Sequence, residues 1–326
     1  MVIKMTKKVK GDYSIKDSYI NDFEKNKVQK RRKSLSKIKK EAQKKVNNFQ
    51  PLVQIETTNH CNANCITCPH DKLTREKTTM DFDLFRNIID QCINEEIGKV
   101  ELSYLGEPLL DKDIFRKISY ASQNDIDTFL ISNFSLLSLN KIDKLLDSGL
   151  KRINVSIDGF DKRSFENVRK GLDYNTVVNN LENLIKRKNE LNRQFPIIKL
   201  NFVAIDYERE KVKRLREKWE NKVDILHIIK PMNWGGKHEI LDGKDSQDRI
   251  APCPLPFSKV TILSNGKVAL CSRDYDGEVI LGDLNEETLR AVWFGEKYIN
   301  VRKKHLNRKF KKLDLCPSCD YQGEWD

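Results

Sequence analysis

From residue 51 onward, short apolar runs alternate with longer stretches in which apolar positions recur every three or four residues. PLVQIETT (51–58), KVELSYL (99–105), DTFLISN (127–133), RINVSID (152–158), IIKLNFVAI (197–205) and DILHIIK (224–230) read as strands. Between them DFDLFRNIIDQCINEE, KDIFRKISYASQN, LNKIDKLLDSG, NTVVNNLENLIKRKNELN and EREKVKRLREKWENK read as amphipathic helices. This alternation predicts an α/β fold with a parallel sheet and right-handed crossovers, either doubly wound or an incomplete barrel.

The rhythm stops at KPMNWGGKHEILDGKDSQDR (230–249), which reads as a linker from its glycines, asparagine and charges. Beyond it, FSKVTILSNGKVALCS predicts a hairpin turning at Asn265-Gly266 through a type I′ turn, and NEETLRAVWFGEKYINVRKKH predicts one helix. The chain thus divides into an arm (1–50), an α/β core (51–232) and an appended unit (233–326).

With 326 residues, 38% hydrophobic and 33% charged, the chain has ample length for a core and contains no apolar run long enough to span a bilayer. Its opening, MVIKMTKKVKGDYSIK, lacks the apolar core of a secretory leader, so a cytoplasmic location is expected. Charge is unevenly spread: residues 1–50 carry 16 Lys and Arg against 5 Asp and Glu, nearly all of the formal net charge of +12. Such an arm suits nucleic acid, an acidic partner or a membrane surface, the plainer alternative being a solvated, partly helical extension. No aromatic residue interleaves KNKVQKRRKSLSKIKKEAQKKVNN (25–48), so base stacking there has no support.

Cysteine placement changes the picture most. Of eight cysteines, Cys92 stands alone in an amphipathic helix and reads as a packing thiol. Cys61, Cys65 and Cys68 crowd into HCNANCITCPH, directly after the first strand, where parallel α/β folds place reactive groups. Three thiolates can hold three irons of a [4Fe–4S] cluster and leave the fourth open; the competing reading is a zinc site completed by His60 or His70. Cys253, Cys271, Cys316 and Cys319 form a second set, able to close a structural zinc or to ligate a second cluster.

The three-cysteine loop resembles that of the radical S-adenosylmethionine (SAM) enzymes, with Thr67 standing where that family has an aromatic residue before the third cysteine. The resemblance implies a partial parallel (β/α)6 TIM barrel, an open iron that chelates SAM, and a 5′-deoxyadenosyl radical that takes a hydrogen atom from the substrate. LGEP (105–108) looks like the family's GGEP motif: Gly106, Glu107 and Pro108 match, and Leu105 replaces the first glycine. Ser132 and Asn133 fit the family's Thr-Asn-Gly, although Phe134 departs from its glycine. By the same resemblance Ser156, Asp158 and Asn201 are SAM contacts, and Arg169 in ENVRKG pairs with the SAM carboxylate. The appended unit, with NWGG, PCPLPFSKVTILSNGKVALCSRDYDG and LGDLNEETLRAVWFGEKY, resembles the SPASM/twitch extension, a hairpin plus helix. That resemblance implies one auxiliary [4Fe–4S] cluster held by the four late cysteines, acting in electron transfer.

These implications point to oxidation of a polyol, sugar or aminocyclitol, with a small-molecule substrate and a flavodoxin- or ferredoxin-type electron donor. Peptide maturation, RNA modification through the basic arm, and a non-catalytic iron or redox sensor are the alternatives. No catalytic acid or base is assignable; Tyr104, His227, Lys230, Asn233 and Arg273 are residues placed to approach the barrel mouth.

Overall fold

The computed structural model describes residues 34–205, 209–238, 252–321 and 325. The arm before Ser34 and the part of the 230–249 stretch beyond His238 lie outside them. Helix α1 (Leu35–Asn47) precedes β1 (Leu52–Ile55) and a two-residue strand β2 (Asn64–Cys65). Then come α2 (Phe82–Asn94), β3 (Lys99–Glu101), α3 (Ile114–Gln123), β4 (Asp127–Ser132), α4 (Leu139–Asp147) and β5 (Arg152–Ser156). Next are α5 (Lys162–Val168), a short β6 (Arg169–Lys170), α6 (Tyr174–Glu190), β7 (Ile197–Val203), α7 (Arg209–Trp219) and β8 (Ile225–Ile229). The C-terminal part supplies α8 (Leu255–Ser258), β9 (Lys259–Ile262), β10 (Lys267–Ala269), β11 (Ile280–Asp283), α9 (Leu289–Phe294) and α10 (Glu296–Leu306).

The main sheet runs β11-β10-β9-β1-β3-β4-β5-β7-β8. All six expected core strands are present and pair in parallel, as an incomplete barrel requires. β9 also pairs in parallel with β1, from Leu52↔Lys259 to Ile55↔Ile262, so the appended hairpin continues the barrel sheet. One face, including Val53, Ile55, Val100, Leu130, Ile153, Val155, Ile198 and Leu200, is buried and apolar. It packs with the apolar stripes of the helices, among them Phe85, Ile88 and Ile89 of α2 and Leu181 and Leu184 of α6. Cys92 lies in this layer, fully buried, as a packing thiol should.

Two local expectations are corrected. The hairpin turn is not type I′, which needs positive φ at both central residues. Only Gly266 has it, at +87°; Gly266 N–H donates to Leu263 O (2.9 Å) and Leu263 N–H to Lys267 O (2.8 Å), a type I turn closed by a glycine bulge. The single helix expected over 285–305 is two helices, because Gly295 is extended (φ −67°, ψ 159°) and ends α9 while starting α10.

No helix among the described residues is long and apolar enough to cross a membrane.

Candidate functional site: two cysteine centres on one sheet

The chain leaves β1 through Glu56–Asn59, whose side chains fix the root of the cysteine loop. Buried Glu56 accepts two 2.6 Å hydrogen bonds from Arg75 and one of 3.0 Å from Ser264 N–H. Asn59 accepts from Thr78 N–H (2.6 Å) and donates to Glu76 O (2.8 Å). Burial pushes the Cys61 thiol up to about 11 and Cys68 to about 12, and raises Cys65 as well. Thiols so held become thiolates only when a metal centre binds them and takes the charge. His60 is exposed, and buried His70 sets Nε2 2.7 Å from Asn59 O, so neither imidazole is committed to the loop's sulfurs. Among the described residues no three His, Cys, Asp or Glu side chains are arranged to hold one metal ion. A four-iron cube takes each thiolate at a separate corner, and three cysteines leave its fourth corner open.

Strand ends close around this loop. β2 pairs with β6 so that Cys65 lies opposite Arg169, whose Nη1 is 3.9 Å from Cys65 Sγ. Arg169 Nη2 pairs with Asp158 Oδ2 at 2.6 Å, while Arg169 Nε is buried without a hydrogen-bond partner. Asp158 Oδ1 accepts from Val203 N–H at 2.7 Å. Burial works against the charge on Arg169, but Asp158 and Cys65 outweigh it and raise its pKa. An unsatisfied buried guanidinium N–H beside the cysteines is a fitting receptor for a carboxylate.

Glu107 is almost wholly buried, and that burial raises its carboxyl pKa against three donors: Asn133 N–H (2.7 Å), Ser132 Oγ–H (2.7 Å) and Leu109 N–H (3.1 Å). Pro108 opens the short 3-10 turn that Glu107 caps. Gly106 has φ +92°, and a Cβ there would sit 2.4 Å from Thr58 O, so only glycine lets this turn meet the cysteine loop. Asn133 Nδ2 donates to Asn62 Oδ1 (2.9 Å), tying β4 to the same loop. Ser132 and Asn133 therefore act on Glu107 and on the loop.

The face of the sheet opposite the helix layer carries a set of polar side chains among apolar ones such as Phe129, Ile131 and Ile197. Registers place Gln54, Glu101 and Arg152 on it, then Asn154 beside Lys199, then Ser156, Asn201 and His227 in one row. Asn201 Oδ1 is 3.2 Å from His227 Nδ1, and Asn154 Oδ1 is buried without a hydrogen-bond partner. Burial, then Lys199 and Arg152, lowers His227 to about 4; burial and Arg152 lower Lys199 to about 8. A closed barrel fills this space with branched aliphatic side chains; here it also holds hydrogen-bonding groups suited to a polar ligand.

The second centre lies at the far edge of the hairpin. Cys253, Cys271, Cys316 and Cys319 line one small cavity together with His305 and Arg273. Burial, then the neighbouring Cys253, pushes Cys271 well above its ordinary value. His305, which the sequence reading passed over, is buried; its Nδ1 accepts from Cys253 N–H (3.4 Å) and its Nε2 is 3.6 Å from Cys316 Sγ. No spacing signal marks it, since its partners are distant in the chain.

NWGG is a clamp where a linker was expected. Trp234 Nε1–H donates to Thr67 O (3.0 Å) on the cysteine loop, while Asn233 Nδ2 donates to Ser318 O (2.7 Å) between the last two cysteines. Gly235 and Gly236, both at positive φ, make room for Leu315 and Ser318. The other mouth residues scatter. Tyr104 packs with Cys68 and Trp234, its buried hydroxyl without a hydrogen-bond partner; Arg273 Nη1 binds Asp320 (2.8 Å); Lys230 is exposed.

The family model described as the Radical SAM superfamily matches residues 55–217, half of the chain, and covers the cysteine loop and the strand ends from β3 to β7. The chain belongs to the radical SAM superfamily. A second model, SPASM, an iron-sulfur cluster-binding domain, matches residues 253–320 of this radical SAM enzyme. Its cofactors are therefore SAM, the SAM-binding [4Fe–4S] cluster and auxiliary iron–sulfur chemistry.

An S-adenosyl-L-methionine-dependent 2-deoxy-scyllo-inosamine dehydrogenase of Niallia circulans is 21% identical over 274 residues, 82% of this radical SAM chain and 92% of the dehydrogenase. A probable GTP 3',8-cyclase of Methanococcus maripaludis is 26% identical over 201 residues, 61% of this chain and 65% of the cyclase. Streptococcus suis SuiB bound to precursor peptide SuiA shares the fold with TM-score 0.67 and 19% identity, over 96% of this chain and 78% of SuiB.

Proposed function

We propose that this protein oxidises a small polar alcohol, a polyol, sugar or aminocyclitol, to a carbonyl compound. Cys61, Cys65 and Cys68 hold the SAM-binding cluster, and Cys253, Cys271, Cys316 and Cys319 hold one auxiliary cluster. The observation that carries the reading is the four-thiol cavity built on the same sheet as the three-thiol loop. A fully ligated centre has no open iron for substrate and suits electron transfer, which loss of hydrogen from an alcohol requires. The polar side chains on the face of the sheet and the likeness to a dehydrogenase over 82% of this chain support the substrate class.

When bound, the loop's cluster supplies the electron that cleaves SAM, and the adenosyl fragment removes a hydrogen atom from the substrate. The chain's own groups bind and orient. Arg169 Nε would offer its N–H to the SAM carboxylate, and Asp158 holds that arginine in place. Glu107, pinned by Ser132 and Asn133 beside the Gly106–Pro108 turn, would take the SAM amino group. Ser156, Asn201 and His227 form a hydrogen-bonding row for the nucleoside or the substrate. A flavodoxin- or ferredoxin-type carrier supplies electrons.

A second reading, peptide modification, is favoured by the fold match to SuiB across 96% of this chain. The two separate on one experiment with anaerobically reconstituted protein. Aminocyclitols deuterated at the carbinol carbon are expected to pass deuterium into 5′-deoxyadenosine, with a ketone formed one for one. Deuterium transfer only from peptides would reject the alcohol reading. Cys65→Ala is expected to abolish SAM cleavage, whereas Cys319→Ala spares uncoupled cleavage and stops ketone formation.

A further inference from the structure

A second basic cluster lies in the nearly neutral body of the chain, and it sits over the auxiliary cavity. Residues 303–312, KKHLNRKFKK, hold Lys303, Lys304, Arg308, Lys309, Lys311 and Lys312 with no acidic residue between them. Lys303, Arg308, Lys309, Lys311 and Lys312 are exposed. The segment is anchored from below: the His305 ring reaches Cys316 Sγ, Phe310 stacks on that ring at 5.9 Å, and Leu315 lines the cavity. The partial negative charge at a helix C-terminus explains cations in the last turn of α10, but Arg308 to Lys312 lie beyond it.

Helix α1 extends this surface. Its apolar stripe, Ile38, Ala42 and Val46, packs on Phe257 of α8, on Trp325 and on Leu306 of α10. Leu255 and Pro256 of α8 line the cavity from its other side. Lys37, Lys39, Lys40 and Lys44 of α1 face solvent. None of the basic residues named on these two segments has an ion-pair partner among the described residues. Two sequence-distant basic segments thus border the elements that wall the four-cysteine cavity: α1 through its packing on α8 and Leu306, and residues 303–312 through His305. A surface so rich in cations costs self-repulsion and attracts an oppositely charged body.

We infer that this surface docks an acidic one-electron carrier protein, which exchanges electrons with the auxiliary centre beneath it. The inference rests on reading the four late cysteines as cluster ligands. Dehydrogenation of an alcohol that has lost a hydrogen atom releases one electron and one proton; the oxidised carrier takes the electron and solvent the proton. A nucleic-acid partner is the less favoured occupant, because the basic segments carry no exposed aromatic residue for stacking and lie over a redox centre.

Binding of dye-labelled flavodoxin, an acidic carrier, to the full-length reconstituted protein tests this by fluorescence anisotropy at rising salt. Wild-type protein is expected to bind at low ionic strength and to lose affinity as salt rises. Lys303→Glu, Lys309→Glu, Lys311→Glu and Lys312→Glu together are expected to weaken binding by about tenfold or more, and so are Lys37→Glu, Lys40→Glu and Lys44→Glu together. Single Lys311→Glu and Lys40→Glu variants give smaller losses and serve if a multiple variant does not fold. Reduction by dithionite should be unchanged in all of them. Unchanged flavodoxin affinity in both reversals overturns the proposal, as does tighter, salt-sensitive binding of poly(U) RNA that flavodoxin fails to displace. Cys319→Ala separates the two readings: it should keep flavodoxin binding and lose electron exchange. Iron content sufficient for only one cluster, with binding intact, refutes the ligand assignment and leaves the surface standing.

Discussion

His305 shows what a single side chain does at a site no motif announces. Because Nδ1 accepts the Cys253 N–H, the neutral ring carries its hydrogen on Nε2, directed at Cys316 Sγ. A donor to a ligand sulfur favours the reduced, more negative cluster and raises its potential. His305→Phe is therefore expected to lower the midpoint potential of the auxiliary cluster in a redox titration followed by electron paramagnetic resonance, with His305→Gln restoring part of it. An unchanged potential in His305→Phe would reduce the ring to packing. Phe134 carries the opposite lesson. Its departure from the family's glycine was visible in the text, but its cost was not: it sits fully buried at φ +64°, a conformation glycine adopts freely. Gly106, Glu107 and Pro108 were legible because a tight approach of two backbones demands a recognisable turn. The approach of Arg169 to Cys65 was not, since it depends on β2 and β6 meeting across about a hundred residues.

At the level of elements, six strands and five helices were readable from periodicity, since each buries one apolar stripe against the next layer. Helix α5 and the break at Gly295 escaped, the first for want of length and the second because one extended residue leaves the apolar pattern on both sides intact. NWGG was misread as a linker since its glycines serve close packing on Leu315 and Ser318, which looks the same in a sequence as flexibility. Arg75 is another tie between elements: it binds Glu56 with both Nη atoms and donates from Nε to Tyr275 O (3.0 Å). Removing it leaves the Glu56 carboxylate buried and short of a partner, so Arg75→Leu is expected to cost about 3–5 kcal/mol in urea unfolding. A loss below about 1 kcal/mol would mean that the ion pair does not hold the loop root to the hairpin.

For the molecule as a whole, the polar side chains on the face of the barrel sheet are a liability kept for a purpose. Lys199 is held near 8, well below its ordinary 10.5, by burial and by Arg152. The unfolded chain thus binds an extra proton between those values, and stability contributed by this group rises as pH climbs from about 8 to about 10.5. Lys199→Met is expected to stabilise the fold below pH 8, on the order of 2 kcal/mol after solvent screening, with the gain vanishing above pH 10.5. Thermal melts across that range check it; a constant difference at all pH values would assign the effect to packing.

The parallel ladder between β1 and β9 has a consequence for measurement. β1 ends at the three-cysteine loop and β9 leads into the hairpin that carries Cys271, so both centres are mounted on one continuous hydrogen-bonded beam. Trp234 and Asn233 brace the same span from outside. A beam braced twice behaves as a fixed ruler: the gap between the paramagnetic centres should appear as one narrow distribution in pulsed dipolar spectroscopy, the same before and after substrate is added.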